Sequence, residues 1–139
     1  MVADKLILVV EDDDSLRPAL ERLLNTTGWR TTAYTSVEAL LVDPAAGDAA
    51  CVVCDLKLPG MSGFDLLAAR RTPGGRPPVI VITAHDAPGL SEEAARRGAA
   101  AYLTKPFRGT TLLETIEAVI ESARLDEGRN PTPSNAASL

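Results

Sequence analysis

The chain has 139 residues, of which 45% are hydrophobic and 24% are charged, and its formal net charge is -5. This length and composition predict one globular domain with a hydrophobic core. The negative charge, with no stripe of Lys and Arg, argues against direct nucleic-acid binding. The first apolar run, Leu6–Val10, stops at carboxylates and no later run is long enough to span a membrane, so we expect a cytoplasmic chain.

Five short apolar runs are predicted to be β-strands. The runs at 6–10, 51–54 and 79–82 are nearly continuous, which is typical of strands buried on both faces of a parallel sheet. Residues 100–103 form a further run, and residues 30–34 carry the Thr and Tyr residues of an edge strand.

Helical patterns separate these runs. The first follows Asp13 or Asp14 as a cap, the next two follow Ser36 and Ser62, and a weak fourth helix ends at Gly98. The last is the clearest, with an apolar stripe formed by Leu112, Leu113, Ile116, Val119, Ile120 and Ala123. Five β-α units predict a doubly wound α/β fold, in which an open parallel sheet has helices on both faces and right-handed crossovers.

The composition changes after Arg124, where the residues are LDEGRNPTPSNAASL. Because this segment has little to bury, we expect a domain over residues 1–124 and a disordered tail or linker over 125–139. The two cysteines, Cys51 and Cys54, have C-x-x-C spacing. They lie on a predicted strand, so their side chains should point to opposite faces rather than form a redox pair.

Five polar residues lie at the carboxyl ends of the predicted strands, where open α/β sheets bind ligands. They are Glu11, Asp12, Asp55, Thr83 and Lys105. If the five strands adopt the flavodoxin-like order 2-1-3-4-5, the first and third strands are neighbours at the switch point of the sheet. The three carboxylates then share one crevice, with the threonine and the lysine beside them.

Three neighbouring carboxylates repel one another, so at least one should have a raised pKa. A hard cation relieves this repulsion, and oxygen ligands with open water positions suit Mg²⁺. Lys105 offers a positive charge to a phosphoryl oxygen, and Thr83 offers a hydroxyl donor. These parts suit phosphoryl transfer to a carboxylate, with Asp55 as the nucleophile.

Four segments resemble those of receiver domains of two-component response regulators: VVEDDD, DLKLPGMSG, VIVITAH and YLTKPF. The resemblance covers roughly residues 5–124. It implies that Asp55 is the phosphoacceptor and that Asp12 and Glu11 bind Mg²⁺, the latter directly or through water. The backbone carbonyl of Lys57 would complete the protein ligands.

The resemblance also implies that Thr83 donates a hydrogen bond to the phosphoryl group, that Lys105 pairs with it, and that Tyr102 is a rotating switch residue. A cis Lys105-Pro106 bond is expected. Two positions depart from the commonest pattern of the family. The first acidic residue is Glu11 rather than Asp, and Lys57 occupies a position that influences how fast the acyl phosphate hydrolyses.

The implied function is a phosphorylation switch. A sensor histidine kinase or a phosphotransfer protein would donate the phosphoryl group. The face formed by the fourth helix, fifth strand and fifth helix would then signal to an output domain or downstream protein, or form a homodimer on phosphorylation. Slow loss of its own phosphoryl group would make the chain a switch rather than a turnover enzyme. The tail suits both a free-standing receiver and the N-terminal part of a longer regulator.

Other protein classes fit the sequence less well. A haloacid dehalogenase-type hydrolase needs a second Asp where Lys57 stands, and an FMN-binding flavodoxin needs a Ser/Thr-rich loop where this chain has carboxylates. Neither a P-loop nor a G-x-G-x-x-G motif occurs. The remaining alternative is a phosphate-independent interaction module with a receiver-like fold, which would be expected to lack a site residue.

Overall fold

The computed structural model describes residues 5–70 and 77–129, and for residues 126–129 the backbone alone. Strands and helices alternate along this part of the chain. In order they are β1 Leu6–Val10, α1 Leu16–Asn25, β2 Arg30–Tyr34, α2 Val37–Leu41, β3 Cys51–Asp55, α3 Gly63–Ala69, β4 Val79–Thr83, α4 Leu90–Arg96, β5 Ala101–Thr104 and α5 Gly109–Arg129. No helix among the described residues combines the length and the apolar character that crossing a membrane requires.

The strands form one parallel sheet with the order β2-β1-β3-β4-β5, which confirms the predicted flavodoxin-like topology. Val10 pairs with Cys54, and Asp55 pairs with Ile82. Because parallel strands end at the same edge of a sheet, this register brings the residues that follow β1, β3 and β4 together.

Two hydrophobic clusters cover the two faces of the sheet. One packs α2 and α3 against the sheet through residues such as Leu40 and Leu66, and the other packs α1 and α5 through residues such as Leu24 and Ile116. Every residue of β3 and β4 is buried, as their continuous apolar runs predicted. Cys51 and Cys54 are free thiols in different clusters, which confirms that they diverge.

Local hydrogen bonds explain where the helices begin. Ser36 Oγ accepts from the amide of Ala39, and Ser62 forms a capping box with Asp65. Asp13 Oδ1 accepts from the amides of Ser15 and Leu16 at the start of α1. The predicted caps are correct for α2 and α3, whereas the N-cap residue of α1 is Ser15 and Asp13 stabilises the turn that precedes it.

Two boundaries and one additional element differ from the sequence prediction. β5 begins one residue later than expected, and a 3-10 helix over Pro44–Asp48, capped by Asp43, was not predicted. α5 continues to Arg129, so the helix does not end at Arg124, where the composition changes. Residues 130–139 of the predicted tail lie outside the described part of the chain.

Candidate functional site

Three carboxyl groups meet at the carboxyl edge of the sheet. Glu11 and Asp12 follow β1, and Asp55 is the last residue of β3. One side-chain oxygen from each of the three lies within 4.8 Å of the others. Glu11 and Asp55 are only 1% and 6% exposed, whereas Asp12 is exposed. The cluster is therefore a crevice that opens to solvent on the side of Asp12.

Lys105 closes this crevice from the end of β5. Its Nζ donates to Glu11 Oε1 at 2.8 Å and to Asp55 Oδ2 at 2.9 Å. The backbone amide of Lys105 donates to the carbonyl of Thr83, and the Lys105-Pro106 peptide bond is cis. One ammonium group thus joins the carboxylates of two different strands.

Backbone amides hold the other oxygens of these two carboxylates. The amide of Asp13 donates to Glu11 Oε2 at 3.1 Å, and the amide of Lys57 donates to Asp55 Oδ1 at 3.2 Å. The side chains of Glu11 and Asp55 are therefore fixed by local loop geometry as well as by Lys105.

The electrostatics of this cluster follow from burial and pairing. Burial raises the pKa of Glu11, hydrogen bonds from Lys105 and Asp13 oppose this effect, and the charge of Asp55 adds to it. The sequence analysis attributed a raised carboxyl pKa to repulsion, whereas for the pKa of Glu11 desolvation is the larger cause and the charge of Asp55 a smaller one. Burial alone would lower the pKa of Lys105, yet its hydrogen bonds to Glu11 and Asp55 prevail and raise it.

Thr83, the last residue of β4, is fully buried behind the crevice. Its Oγ1 accepts a hydrogen bond from the backbone amide of His85 at 3.0 Å. The side chain of His85 is exposed.

Tyr102 lies on β5 and is half-buried. Its ring packs against the cluster that contains Leu66 and Val81, and its hydroxyl donates to Asp86 Oδ1 at 2.7 Å. Burial, and then the hydrogen bond to Asp86, raise its pKa to about 12. The hydroxyl is thus held by the loop between β4 and α4.

The donor set of the crevice fits a hard divalent cation. Three carboxylates supply oxygen ligands, and the exposed position of Asp12 leaves room for water. Lys105 balances only one of the three negative charges when all are ionised. The residues present therefore suit Mg²⁺.

Two further residues support the loops of the site and were not found from the sequence. Arg17, on α1, donates from its guanidinium to the backbone carbonyl of Glu11 at 2.9 Å. Glu38, on α2, accepts from the amide of Met61 in the loop after β3. Neither contact has a sequence signal, because each joins a helix to a loop through a single side chain.

A family model described as the response regulator receiver domain matches residues 7–117. The chain belongs to the response regulator receiver domain family. The matched region runs from β1 into α5, so it includes every strand of this receiver domain.

Two curated relatives and one solved structure illustrate the similarity. The receiver domain is 34% identical over 135 residues to the transcriptional regulatory protein FixJ of Azorhizobium caulinodans, which covers 94% of this chain and 64% of that protein. It is 33% identical to nodulation protein W of Bradyrhizobium diazoefficiens, covering 96% of this chain and 59% of that protein. The crystal structure of FixJ-N superposes with a TM-score of 0.75 at 33% identity, covering 85% of this chain and 94% of that one.

The chain spans less than two thirds of the length of these two curated relatives.

In the structure Lys105 contacts both Glu11 and Asp55, and Asp12 lies beside these two carboxylates. The side chain of Lys57 is exposed, and its amide contacts Asp55. Its carbonyl as a metal ligand stays a prediction.

Proposed function

We propose that this receiver domain accepts a phosphoryl group on Asp55 from a phosphohistidine of a sensor histidine kinase or phosphotransfer protein, in a reaction that requires Mg²⁺. The observation that carries the proposal is the double contact of Lys105 with Asp55 and Glu11 inside a cluster of three carboxylates. An ammonium group beside the acceptor oxygen is placed to pair with an incoming phosphoryl oxygen.

In the proposed reaction an Asp55 carboxylate oxygen attacks the phosphorus. The new oxygen-phosphorus bond forms as the phosphorus-nitrogen bond breaks, and the donor imidazole leaves with the electron pair. Lys105 keeps its contact with Asp55 and pairs with a phosphoryl oxygen. The Thr83 hydroxyl, which currently accepts from the amide of His85, keeps a proton that it can donate to another phosphoryl oxygen.

Glu11, Asp12, Asp55 and the carbonyl of Lys57 are the proposed ligands of Mg²⁺. Bound there, the ion would offset the negative charge that gathers when a phosphoryl group approaches three carboxylates. Lys105 alone leaves an excess of negative charge, which is why we propose that the metal is necessary rather than helpful.

The proposed switch couples the phosphoryl group to the surface formed by α4, β5 and α5. Inward movement of Thr83 would open space that Tyr102 can fill once its bond to Asp86 breaks. In α4 the buried side chain is that of Ala94, so little apolar area holds this helix in place. The changed surface would signal to an output domain or downstream protein in the cytoplasm, or form a homodimer.

The test is intact mass spectrometry after incubation with Mg²⁺ and acetyl phosphate. Wild type should gain one phosphoryl group, and Asp55→Asn should gain none because the amide cannot act as the nucleophile. Asp48→Asn, which changes an exposed carboxylate of the 3-10 helix, is the matched control and should be phosphorylated normally. Omitting Mg²⁺ should abolish the mass gain.

The alternative function is a phosphate-independent interaction module with the same fold. Absence of any adduct in wild type, together with no binding of beryllofluoride, would favour this alternative. An adduct that persists in Asp55→Asn would instead place the acceptor at another residue.

A further inference from the structure

Glu38 connects two segments that are distant in sequence. It lies in the first turn of α2, and its Oε2 accepts a hydrogen bond of 3.0 Å from the backbone amide of Met61, 23 residues further along the chain. Met61 belongs to the loop over residues 56–62, which joins β3 to α3. This loop begins directly after Asp55 and contains Lys57.

Gly60 leaves space in this loop for the carboxylate of Glu38. Gly60, immediately before Met61, has a φ of +78°, which favours glycine. A Cβ built on Gly60 would lie 2.5 Å from Oε2 of Glu38, too close for any side chain unless the carboxylate moves. The absence of a side chain at Gly60 therefore allows the close approach of Glu38.

The helix that carries Glu38 is itself well anchored. The Ser36 cap fixes the start of α2, and the neighbouring side chains of Val37 and Leu40 are buried at 0% and 1% exposure. Glu38 therefore extends from a rigid element to the loop, and its hydrogen bond limits where the loop can lie.

The ends of the loop have their own anchors. The amide of Lys57 donates to Asp55, and the amide of Gly63 donates to the carbonyl of Leu56 at 2.9 Å. The capping box of Ser62 fixes the start of α3. The contact from Glu38 holds the loop at Met61, between Gly60 and the capping residue Ser62.

We infer that Glu38 is a positioning residue for the metal site: through Met61 it holds the loop so that the carbonyl of Lys57 is ready to bind Mg²⁺. This rests on the proposed function, in which that carbonyl is a ligand. A ligand that is already in position costs less ordering when the ion binds. Loss of the hydrogen bond should therefore weaken Mg²⁺ binding without removing any ligand.

The experiment is isothermal titration of the full chain with Mg²⁺, without any phosphodonor. Glu38→Ala should weaken the affinity about threefold, the effect of losing part of one hydrogen bond. Glu38→Gln keeps an oxygen that can accept from Met61 and should bind nearly as wild type does. Glu92→Ala removes an exposed carboxylate from α4 and should leave the affinity unchanged. In metal-free protein, the Met61 amide should exchange faster in Glu38→Ala than in Glu38→Gln.

The outcomes separate this inference from the proposed function. If wild type does not bind Mg²⁺, the proposed function fails and the inference fails with it. If wild type binds and Glu38→Ala binds equally well, the inference alone is overturned. If Glu38→Gln is as weak as Glu38→Ala, the charge of Glu38 rather than its hydrogen bond matters, and the positioning role is wrong.

Discussion

Nζ of Lys105 lies 2.9 Å from Oδ2 of Asp55, although 50 residues separate the two along the chain. The lysine follows the edge strand β5, and the aspartate ends the central strand β3. The same ammonium group contacts Glu11 at the end of β1. One ammonium group therefore pairs with carboxylates at the ends of two central strands of the sheet.

Replacing Lys105 by Met should destabilise the metal-free protein, because Glu11 and Asp55 would remain buried without their counter-ion. We expect the free energy of unfolding to fall by about 2 kcal/mol at neutral pH. Added Mg²⁺ should restore part of this loss, since the ion supplies positive charge to the same carboxylates. Urea denaturation with and without Mg²⁺ measures both effects. A loss that Mg²⁺ does not reduce would contradict the proposed position of the ion.

Gly63 is a position where any side chain would displace Asp55. A Cβ there would lie 3.0 Å from the carbonyl oxygen of Asp55 and 3.1 Å from Cα of Leu56, and backbone atoms cannot rotate away. Gly63→Ala should therefore lower stability by about 1–2 kcal/mol and slow phosphorylation by acetyl phosphate. Gly47→Ala is the control, because its Cβ would meet nothing within 4 Å. Equal behaviour of the two variants would show that the loop adapts freely.

The hydrogen bond between Tyr102 and Asp86 should be visible in a titration of the phenol. Burial first, and then Asp86, raise the pKa of Tyr102 to about 12. Asp86→Ala should lower this pKa towards the ordinary value of 10 without reaching it, because the phenol is still partly buried. The chain has two tyrosines, so the Tyr34→Phe background leaves Tyr102 as the only one and tyrosinate absorbance reports on it alone. An unchanged pKa would mean that Asp86 does not hold the hydroxyl in solution.

The contact between Tyr34 and Asp43 should make stability depend on pH at both extremes. The Tyr34 hydroxyl donates to Asp43 Oδ2 at 2.7 Å and, with the amide of Ala45, lowers the pKa of Asp43. The stability that Asp43 contributes is therefore present above the ordinary pKa of its carboxyl. It is lost as pH falls through the lower pKa that this carboxyl has in the folded protein. Burial and this hydrogen bond raise the pKa of Tyr34 to about 12. The stability that Tyr34 contributes is therefore fully present below its ordinary pKa and is lost as pH rises through the folded pKa of about 12.

Tyr34→Phe should consequently lower the Tm by about 3 °C at neutral pH. The difference from wild type should shrink as pH falls from the ordinary pKa of Asp43 through its lower value in the folded protein, where the carboxyl becomes protonated in both states. Thermal denaturation monitored by circular dichroism across the acidic range checks this. A difference that stays constant down to the most acidic pH would show that Asp43 gains nothing from the phenol.

Much of the fold was readable because it depends on local pattern. Continuous apolar runs identified β1, β3 and β4, since strands buried on both faces have no polar alternation. Ser36 and Ser62 marked helix starts because a cap hydrogen bond spans only a few residues. The helix α5 extends past Arg124, where the composition changes, to Arg129. Leu125 and Glu127 are residues with good helix propensity, so a change in composition does not by itself end a helix.

The sequence by itself determined which residues could form the site, because acidic, hydroxyl and basic side chains stand directly after apolar runs. Glu11, Asp55 and Lys105 were identified in this way. Only the tertiary structure decided how they are joined, that burial is the main cause of the raised pKa of Glu11, and that Arg17 and Glu38 support the loops. The physical reason is that hydrogen bonds between distant segments and the loss of hydration depend on the packed fold, and neither leaves a periodic pattern in the chain.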